Sequence, residues 1–186
     1  MSTGTTETRA TKWQIDPVHT QVEFEVRHMM FAKVRGRFGT FGGTMVLGVN
    51  GEVSDAEVEV VIDAASIDTG HEQRDEHLRS DDFLGVDQYP ELRFASTGVR
   101  EAGDGTLYVT GDLSIHGVTK PVELEVSETG RGTDPWGNER WGFSASTTID
   151  RRDYGLTWNQ ALETGGVLVG HDVTIELEVQ AVPQED

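Results

Sequence analysis

The sequence predicts an all-β protein, built as an antiparallel barrel or sandwich of about eight strands with one short helix. Two observations support this class. Apolar and polar residues alternate in segment after segment, and turn-forming residues separate these segments at short intervals. No domain linker, low-complexity tract or repeat of fixed period interrupts the 186 residues. We therefore expect a single domain over residues 12–182, a flexible N-terminal segment over 1–11 and a C-terminal tail over 183–186.

The first predicted strand lies within residues 12–30, where Val22, Phe24 and Val26 alternate with polar residues and would share one dry face. Glycines within 34–43 are typical of bulges and bends that let a sheet curl. The later strands are expected at Thr44 to Val49 before the turn Asn50-Gly51, Ala56 to Ile62, Leu92 to Phe94, Leu107 to Ile115, Val122 to Val126, Trp141 to Ile149, and Val173 to Val179.

Three segments depart from this alternation. Glu72 to Leu84 is rich in charge and has helical spacing, which predicts a short helix that braces a barrel mouth. Thr129 to Gly137 contains several turn-forming residues and predicts a long loop. Tyr154 to Gly170 is irregular but carries apolar residues, and we expect it to fold as a flap over an opening.

The charge balance and the missing residue types exclude several functions. Asp and Glu total 33 against 15 Lys and Arg, and the net charge of −18 disfavours nucleic acid and anionic bilayers as partners. The chain has no Cys, which excludes thiolate metal sites and cysteine nucleophiles. The first residues lack the apolar core of a secretory signal, and no run approaches the roughly 18 apolar residues of a membrane helix. We therefore expect a cytoplasmic protein without an integral membrane segment.

No motif for catalysis or cofactor binding is evident. The six histidines are scattered without the spacing of metal ligands, so neither a metal nor a cofactor is expected. A Gly-x-Ser-x-Gly elbow, a phosphate loop and a dinucleotide fingerprint are all missing from the sequence. His28 is in phase with the inward residues of its strand. It is either a core histidine bonded to a backbone carbonyl, the favoured interpretation, or a polar contact to a ligand head group.

Two arginine-containing segments each have a favoured interpretation. Arg74, His77 and Arg79 lie in the predicted helix, where local salt bridges on a solvated surface are favoured over a rim that attracts an anionic group. In the segment Arg151-Arg152-Asp153, a buried arginine–aspartate bond that holds a turn is favoured.

The interior of the predicted barrel is either filled or hollow. Several aromatic residues fall on inward strand phases and would serve an ordinary core. A barrel of about eight strands, however, encloses an interior that is either filled by side chains or large enough for one ligand. The small inward residues Ala56, Ala145 and Thr147 would leave room for a ligand.

Ordered motifs across the chain carry a resemblance to a known family. In the first half they are Trp13-x-Ile15-Asp16-Pro17-Val18-His19-Thr20, Val26-Arg27-His28-Met29, Val34-x-Gly36-x-Phe38, Ser66-Ile67-Asp68-Thr69, Arg74-Asp75-x-His77-Leu78-Arg79-Ser80-x-Asp82-Phe83 and Tyr89-Pro90. In the second half they are Gly111-Asp112-Leu113-Ser114-Ile115-His116-Gly117-Val118-Thr119-Lys120-Pro121-Val122 and Arg151-x-Asp153-Tyr154-Gly155-Leu156. From Trp13 to Ala181 the chain resembles the YceI-like family of polyisoprenoid-binding proteins.

The resemblance implies an extended antiparallel lipocalin-like barrel, often a homodimer, whose apolar tunnel takes a polyisoprenoid, an isoprenoid quinone or a similar long-chain lipid. It implies non-catalytic binding, storage or transport rather than an enzyme. The candidate ligand-binding residues are Phe24, Val26, His28, Phe38, Val60, Leu78, Phe83, Phe94, Leu113, Phe143 and Trp158. The head-group candidates are Arg74, His77 and Arg79. Many relatives look periplasmic, in contrast to the cytoplasmic location expected from the N-terminal residues.

Two alternatives belong to other classes of function. One is an enzyme that acts on a lipophilic small molecule, with His28 or His77 as a general base beside an aspartate. The other is a structural or dimeric interaction module whose barrel is a packed core. Loss of turnover on replacing one histidine would indicate the enzyme, and the interior volume separates a packed core from a carrier.

Overall fold

Residues 11–48 and 51–184 are described in the computed structural model of the protein, and within them the chain forms eleven strands, one α-helix and three short 3-10 helices. The strands are β1 (Lys12–Ile15), β2 (Gln21–His28), β3 (Ala32–Phe38), β4 (Phe41–Val46), β5 (Glu57–Asp63), β6 (Ile67–Asp68), β7 (Glu91–Glu101), β8 (Leu107–Ile115), β9 (Val118–Thr133), β10 (Glu139–Asp150) and β11 (Val169–Pro183), and the helix α1 (Glu72–Arg79) lies between β6 and β7. The predicted N-terminal segment lies outside the described residues, except for Thr11. Positions 49–50, where a strand end and a turn are predicted, and positions 185–186 of the predicted tail also lie outside them.

Eight of the strands close into an antiparallel barrel. Their order is β1-β4-β5-β7-β8-β9-β10-β11, and the ring closes because β1 pairs with β4 on one side and with β11 on the other. Trp13 is thus opposite both Met45 and Pro183. The predicted all-β class and the barrel are confirmed, and the sandwich is excluded.

The remaining three strands extend the barrel wall at one end. β2 pairs with the first part of β11, β3 pairs with β2, and the two-residue β6 pairs with β3. The first residues of β11 and the last of β10 lie at this same end, because Asp150 pairs with Asp172 and His28 pairs with Val169. We call this end the mouth.

The opposite end of the barrel is filled by aromatic side chains. Trp13 is fully buried, and its ring meets that of Trp141 edge-on at a centroid distance of 5.1 Å. Phe143 follows at 4.9 Å from Trp141. Aromatic pairs in this arrangement are favourable beyond the area they bury. The cluster closes the barrel below its hollow part, and we call this end the base.

Several predicted boundaries differ from those of the structure, and two of these differences have a clear physical cause. The helix ends at Arg79 instead of Leu84, because the extended backbone of Ser80 caps it and its hydroxyl donates to His77 O at 2.6 Å. The predicted long loop at Thr129 to Gly137 is largely strand, since β9 runs to Thr133 and pairs with β10 as far as Glu139. Sheet pairing supplies the backbone hydrogen bonds there in spite of the glycines.

Gly111 on β8 sits beneath the ring of Phe94, and replacing it tests this packing. A Cβ at this position would lie 2.6 Å from the carbonyl oxygen of Ala95 and 2.5 Å from Phe94 Cζ. We expect Gly111→Ala to lower the free energy of unfolding by about 1–3 kcal/mol, because the ladder backbone cannot move aside. Gly42→Ala is the control in urea unfolding, since a Cβ there meets nothing within 4 Å. Equal losses for both variants would contradict the expectation.

Candidate functional site: the barrel cavity and its mouth

The barrel interior holds a cavity of about 560 Å³. Every strand of the closed ring contributes an inward side chain to its wall, and most of these side chains are aliphatic or aromatic. On β11 the inward residues Ile175 and Leu177 are only half-buried, although the outward Glu176 between them faces solvent. Inward apolar residues of a packed core would be fully buried, so the interior is hollow. The volume lies in the range of small-molecule pockets.

The structure brings the predicted ligand-binding residues together around this cavity. All eleven line it: Phe24, Val26, His28, Phe38, Val60, Leu78, Phe83, Phe94, Leu113, Phe143 and Trp158. Their contact with a ligand stays a prediction. Of the head-group candidates, Arg74 and His77 line the cavity and Arg79 does not. Arg79 donates instead to the carbonyls of Ala65 at 3.0 Å and Ile67 at 3.1 Å, which ties α1 to the strand below it.

The cavity opens between the β2–β3 hairpin and α1. The lining residues that are exposed to solvent are Arg27 and His28 on β2, together with Gln73 and Arg74 on α1. The favoured interpretation of His28 as a core histidine is therefore wrong. His28 is the last residue of β2, and the strand ends at the mouth, so its inward phase does not bury it. Polar groups thus border the opening of an apolar chamber.

An aromatic cluster stands beside the opening. The rings of His77 and Trp158 meet edge-on at 4.6 Å, and Phe83 lies 5.1 Å from His77 and 5.4 Å from Trp158. His77 Nε2 is 2.9 Å from a carboxylate oxygen of Asp82, which orients the imidazole. The segment around Trp158 is the predicted flap, and it does lie over the cavity, with Leu156, Trp158 and Leu168 among the lining residues.

Arg151 anchors this flap, and the sequence did not identify that role. Its side chain is only 3% exposed and donates to carbonyls at both ends of the flap: Leu156 at 2.6 Å, Trp158 at 2.9 Å, Val169 at 3.2 Å and Gly170 at 2.7 Å. The predicted arginine–aspartate bond is wrong for Arg151, because its guanidinium meets these carbonyls and Asp153 is exposed. The exposed Arg152 pairs with Asp150 at 2.6 Å. Burial lowers the pKa of the Arg151 guanidinium.

The Arg152 contact holds the pKa of the Asp150 carboxyl at about 2. Arg151 thus brings a cation into the wall of an apolar cavity with backbone oxygens as its partners. Four carbonyl acceptors stabilise the charge by dipoles, without neutralising it.

On the α1 side of the mouth, Arg74 is held in place by Thr69. Its Nε donates to the Thr69 hydroxyl at 2.7 Å and one terminal nitrogen donates to Thr69 O at 2.9 Å. The Thr69 hydroxyl in turn donates to the buried carboxylate of Asp75. These bonds fix the guanidinium at the rim and leave N–H groups for a ligand, since an arginine carries five of them.

The described residues offer neither a metal-binding cluster nor a membrane-spanning helix. No group of three or more His, Asp or Glu side chains is placed to hold a metal ion in the part of the chain that the structure covers. Among the same residues, none of the helices has the length and apolar character to cross a membrane.

Comparison with known sequences gives several relatives. The chain is 45% identical over 138 residues to a UPF0312 protein of Shewanella denitrificans, which covers 74% of this chain and 72% of that protein. It is 35% identical over 178 residues to a UPF0312 protein of Pseudomonas putida, covering 95% and 88% respectively.

Solved structures share the fold. The Campylobacter jejuni YceI protein is 27% identical, with a TM-score of 0.72 over 86% of this chain and 90% of that one. Burkholderia cenocepacia BcnA is 21% identical, with a TM-score of 0.77 over 89% and 98%. A polyisoprenoid binding domain from Saccharophagus degradans is 16% identical, with a TM-score of 0.66 over 92% and 98%. The last two show the fold alone. The model of the YceI-like domain matches residues 13–181, and the chain therefore belongs to the YceI-like family.

Proposed function

We propose that the protein binds a long apolar amphiphile in the barrel without transforming it, and thereby stores or transports it. The observation that carries the proposal is a hollow, almost wholly apolar cavity of about 560 Å³ whose solvent-exposed lining residues, Arg27, His28, Gln73 and Arg74, gather at one opening. An apolar chain gains about 0.8 kcal/mol for each buried methylene. A ligand of this kind needs few polar contacts to bind tightly.

The ligand class that we propose is a polyisoprenoid or an isoprenoid quinone. Apolar branched side chains surround the cavity and suit a methyl-branched chain. Membership of the YceI-like family supports the class, and one neighbour in fold is named as a polyisoprenoid binding domain. The predicted contacts run from Phe143 near the base, past Phe94 and Val60, to Trp158 at the mouth.

The polar head of the ligand would lie at the mouth between Arg74 and His77. Arg74 is oriented by Thr69 and His77 by Asp82, so both side chains are fixed before a ligand arrives. We therefore expect Arg74→Gln to weaken binding of a prenyl phosphate about tenfold, the loss of one charge-assisted hydrogen bond. The neutral prenyl alcohol should bind this variant as it binds the original chain. Equal losses for both ligands, measured by titration calorimetry, would contradict the assignment.

Fluorescence quenching tests the proposal in solution. The chain has four tryptophans, and Trp158 is the one among the lining residues. A bound isoprenoid quinone would lie against Trp158 and quench its emission in a saturable titration. Trp158→Phe should remove most of the quenching, whereas Trp136→Phe should preserve it, because Trp136 is 82% exposed on the β9–β10 hairpin at the base. Unsaturable quenching that is equal in both variants would contradict binding in the cavity.

The enzymatic alternative keeps one supporting contact, the 2.9 Å approach of His77 Nε2 to Asp82 beside the cavity. To distinguish an enzyme from a carrier, a lipophilic ligand is incubated with the protein for a long time and then recovered. A ligand that is recovered unchanged, both from the original chain and from the His77→Gln variant, supports binding alone. A modified product that the variant fails to form supports catalysis.

Two expectations from the sequence stay predictions. A homodimer would give twice the mass of 20.4 kDa in light scattering after size-exclusion chromatography. The cytoplasmic location is tested by fractionating cells that produce the untagged protein.

A further inference from the structure

The tip of the β2–β3 hairpin is apolar and exposed. The tip consists of Met29, Met30 and Phe31, which are 39%, 56% and 75% exposed. Single exposed apolar residues are common on proteins, but three in a row at a hairpin tip form a small protruding apolar surface. Exposing this apolar surface to water is unfavourable.

The backbone of the tip is also unusual. Met29 and Met30 both have positive φ, 53° and 69°, a region where bulky residues are rare. Two consecutive residues of this kind in a hairpin favour Asn-Gly, which adopts the conformation at low cost. The chain instead places large apolar residues there, so the tip is costly both in conformation and in exposure. Such an outlier indicates function rather than stability.

The tip adjoins the opening of the cavity. Met29 N–H donates to the carbonyl of Leu168 at 2.8 Å, and Leu168 lines the cavity from the flap. His28, the residue before the tip, lines the mouth. Met30 lies against the flap glycine Gly166, where a Cβ would be 3.0 Å from Met30 Cγ. The exposed apolar surface is thus continuous with the entrance.

The local charge of the hairpin opposes that of the whole chain. Residues 26–51 contain no Asp or Glu, although the chain has 33 of them, and they carry Arg27, Lys33, Arg35 and Arg37. Lys33 and Arg35 share the single carboxylate of Glu25, at 3.2 and 3.0 Å. The net charge of −18 repels an anionic surface at long range, but salt screens this repulsion beyond about 8 Å. Within residues 21–38 four cations stand against two carboxylates, and Arg37 also pairs with Asp68 at 3.3 Å, so the hairpin keeps a positive balance.

From these features we infer that the β2–β3 hairpin tip docks on an anionic lipid bilayer, with Met29, Met30 and Phe31 in the interfacial region and the cations against the lipid head groups. Apolar side chains flanked by Lys and Arg are the combination that binds such surfaces. Docking there sets the cavity mouth on the bilayer, where a lipid can pass between membrane and barrel. The inference goes beyond ligand binding and is tested independently of it.

Vesicle flotation of the full chain tests the docking. Vesicles of phosphatidylcholine alone are compared with vesicles of equal parts phosphatidylcholine and phosphatidylglycerol, and more protein should float with the second. The variant Met29→Asn/Met30→Gly/Phe31→Ser should reduce flotation about tenfold while it unfolds at the same or a higher urea concentration, because Asn-Gly suits the turn. If the tip served only the fold, the triple variant would float like the original chain and would unfold at a lower urea concentration.

Trp136→Ser is the matched control, since it removes an exposed aromatic residue from the hairpin at the base. It should float like the original chain. Quinone quenching of Trp158 should persist in the triple variant, so loss of docking is distinguishable from loss of ligand binding. Flotation that is equal for the original chain and the triple variant would overturn the inference. A concentration-dependent dimer that the triple variant cannot form would overturn it as well, by assigning the tip to a second copy.

Discussion

Two phenylalanines introduced on β10, by Ala145→Phe and Thr147→Phe, are expected to abolish binding of a long apolar ligand. Ala145 and Thr147 are small residues that line the cavity from the inward face of β10. Each new ring would project into the space that the proposed ligand fills. Displacing one five-carbon unit of a prenyl chain costs about 4 kcal/mol, which corresponds to roughly a thousandfold loss of affinity. Quenching of Trp158 by an isoprenoid quinone measures the effect.

Ser146 provides the matched control for this experiment. It lies between the two substituted residues, and its side chain is exposed on the outer face of β10. Ser146→Phe adds the same ring outside the barrel and should leave binding unchanged. The double variant should largely keep its resistance to urea, because both residues line the cavity and filling a cavity is commonly tolerated. Full affinity in the double variant would show that the ligand does not occupy this part of the cavity.

Replacing Arg151 by Met is expected to lower the free energy of unfolding by about 3 kcal/mol. The guanidinium donates to four carbonyls from the two ends of the flap, and of these Val169 O also accepts from Asn159 Nδ2 at 2.7 Å. A methionine fills a similar volume but donates nothing, and the cost of the unpaired carbonyls outweighs the relief of a buried charge. Urea unfolding monitored by circular dichroism measures the change.

Arg152→Met is the control for Arg151, because Arg152 is exposed and pairs with Asp150 on the surface. Its effect on unfolding should be small, as for most exposed ion pairs. Arg151→Lys should fail to restore stability, since one ammonium cannot reproduce the planar fork that reaches both ends of the flap. A lysine variant as stable as the original chain would contradict the anchoring role.

The strands and the cavity wall could be predicted because strand side chains alternate with a period of two. The inward phase of β11, with Val173, Ile175 and Leu177, is visible directly in the sequence. This alternation does not predict how the ring closes. Closure depends on the pairing of Trp13 with Pro183, at opposite ends of the chain, and alternation does not specify the partner of a strand.

The mouth was harder to predict than the wall. Arg74 and Arg79 occupy the same short helix, yet Arg74 lines the cavity and Arg79 reaches the carbonyls of Ala65 and Ile67. Arg151 and Arg152 directly precede Asp153 in sequence, which favoured an arginine–aspartate bond. The irregular flap supplies carbonyls instead, and a loop conformation follows from tertiary contacts that local sequence does not contain.

Native mass spectrometry of the protein purified from cells without detergent tests the central claim most directly. We expect a mass above 20.4 kDa by one bound lipid, and organic extraction should release a polyprenyl alcohol, phosphate or quinone. The Ala145→Phe/Thr147→Phe variant should appear at its bare mass in the same experiment, and Ser146→Phe should retain the lipid. Protein that is bare in repeated preparations, and that takes up no prenyl lipid when one is supplied, would contradict the account.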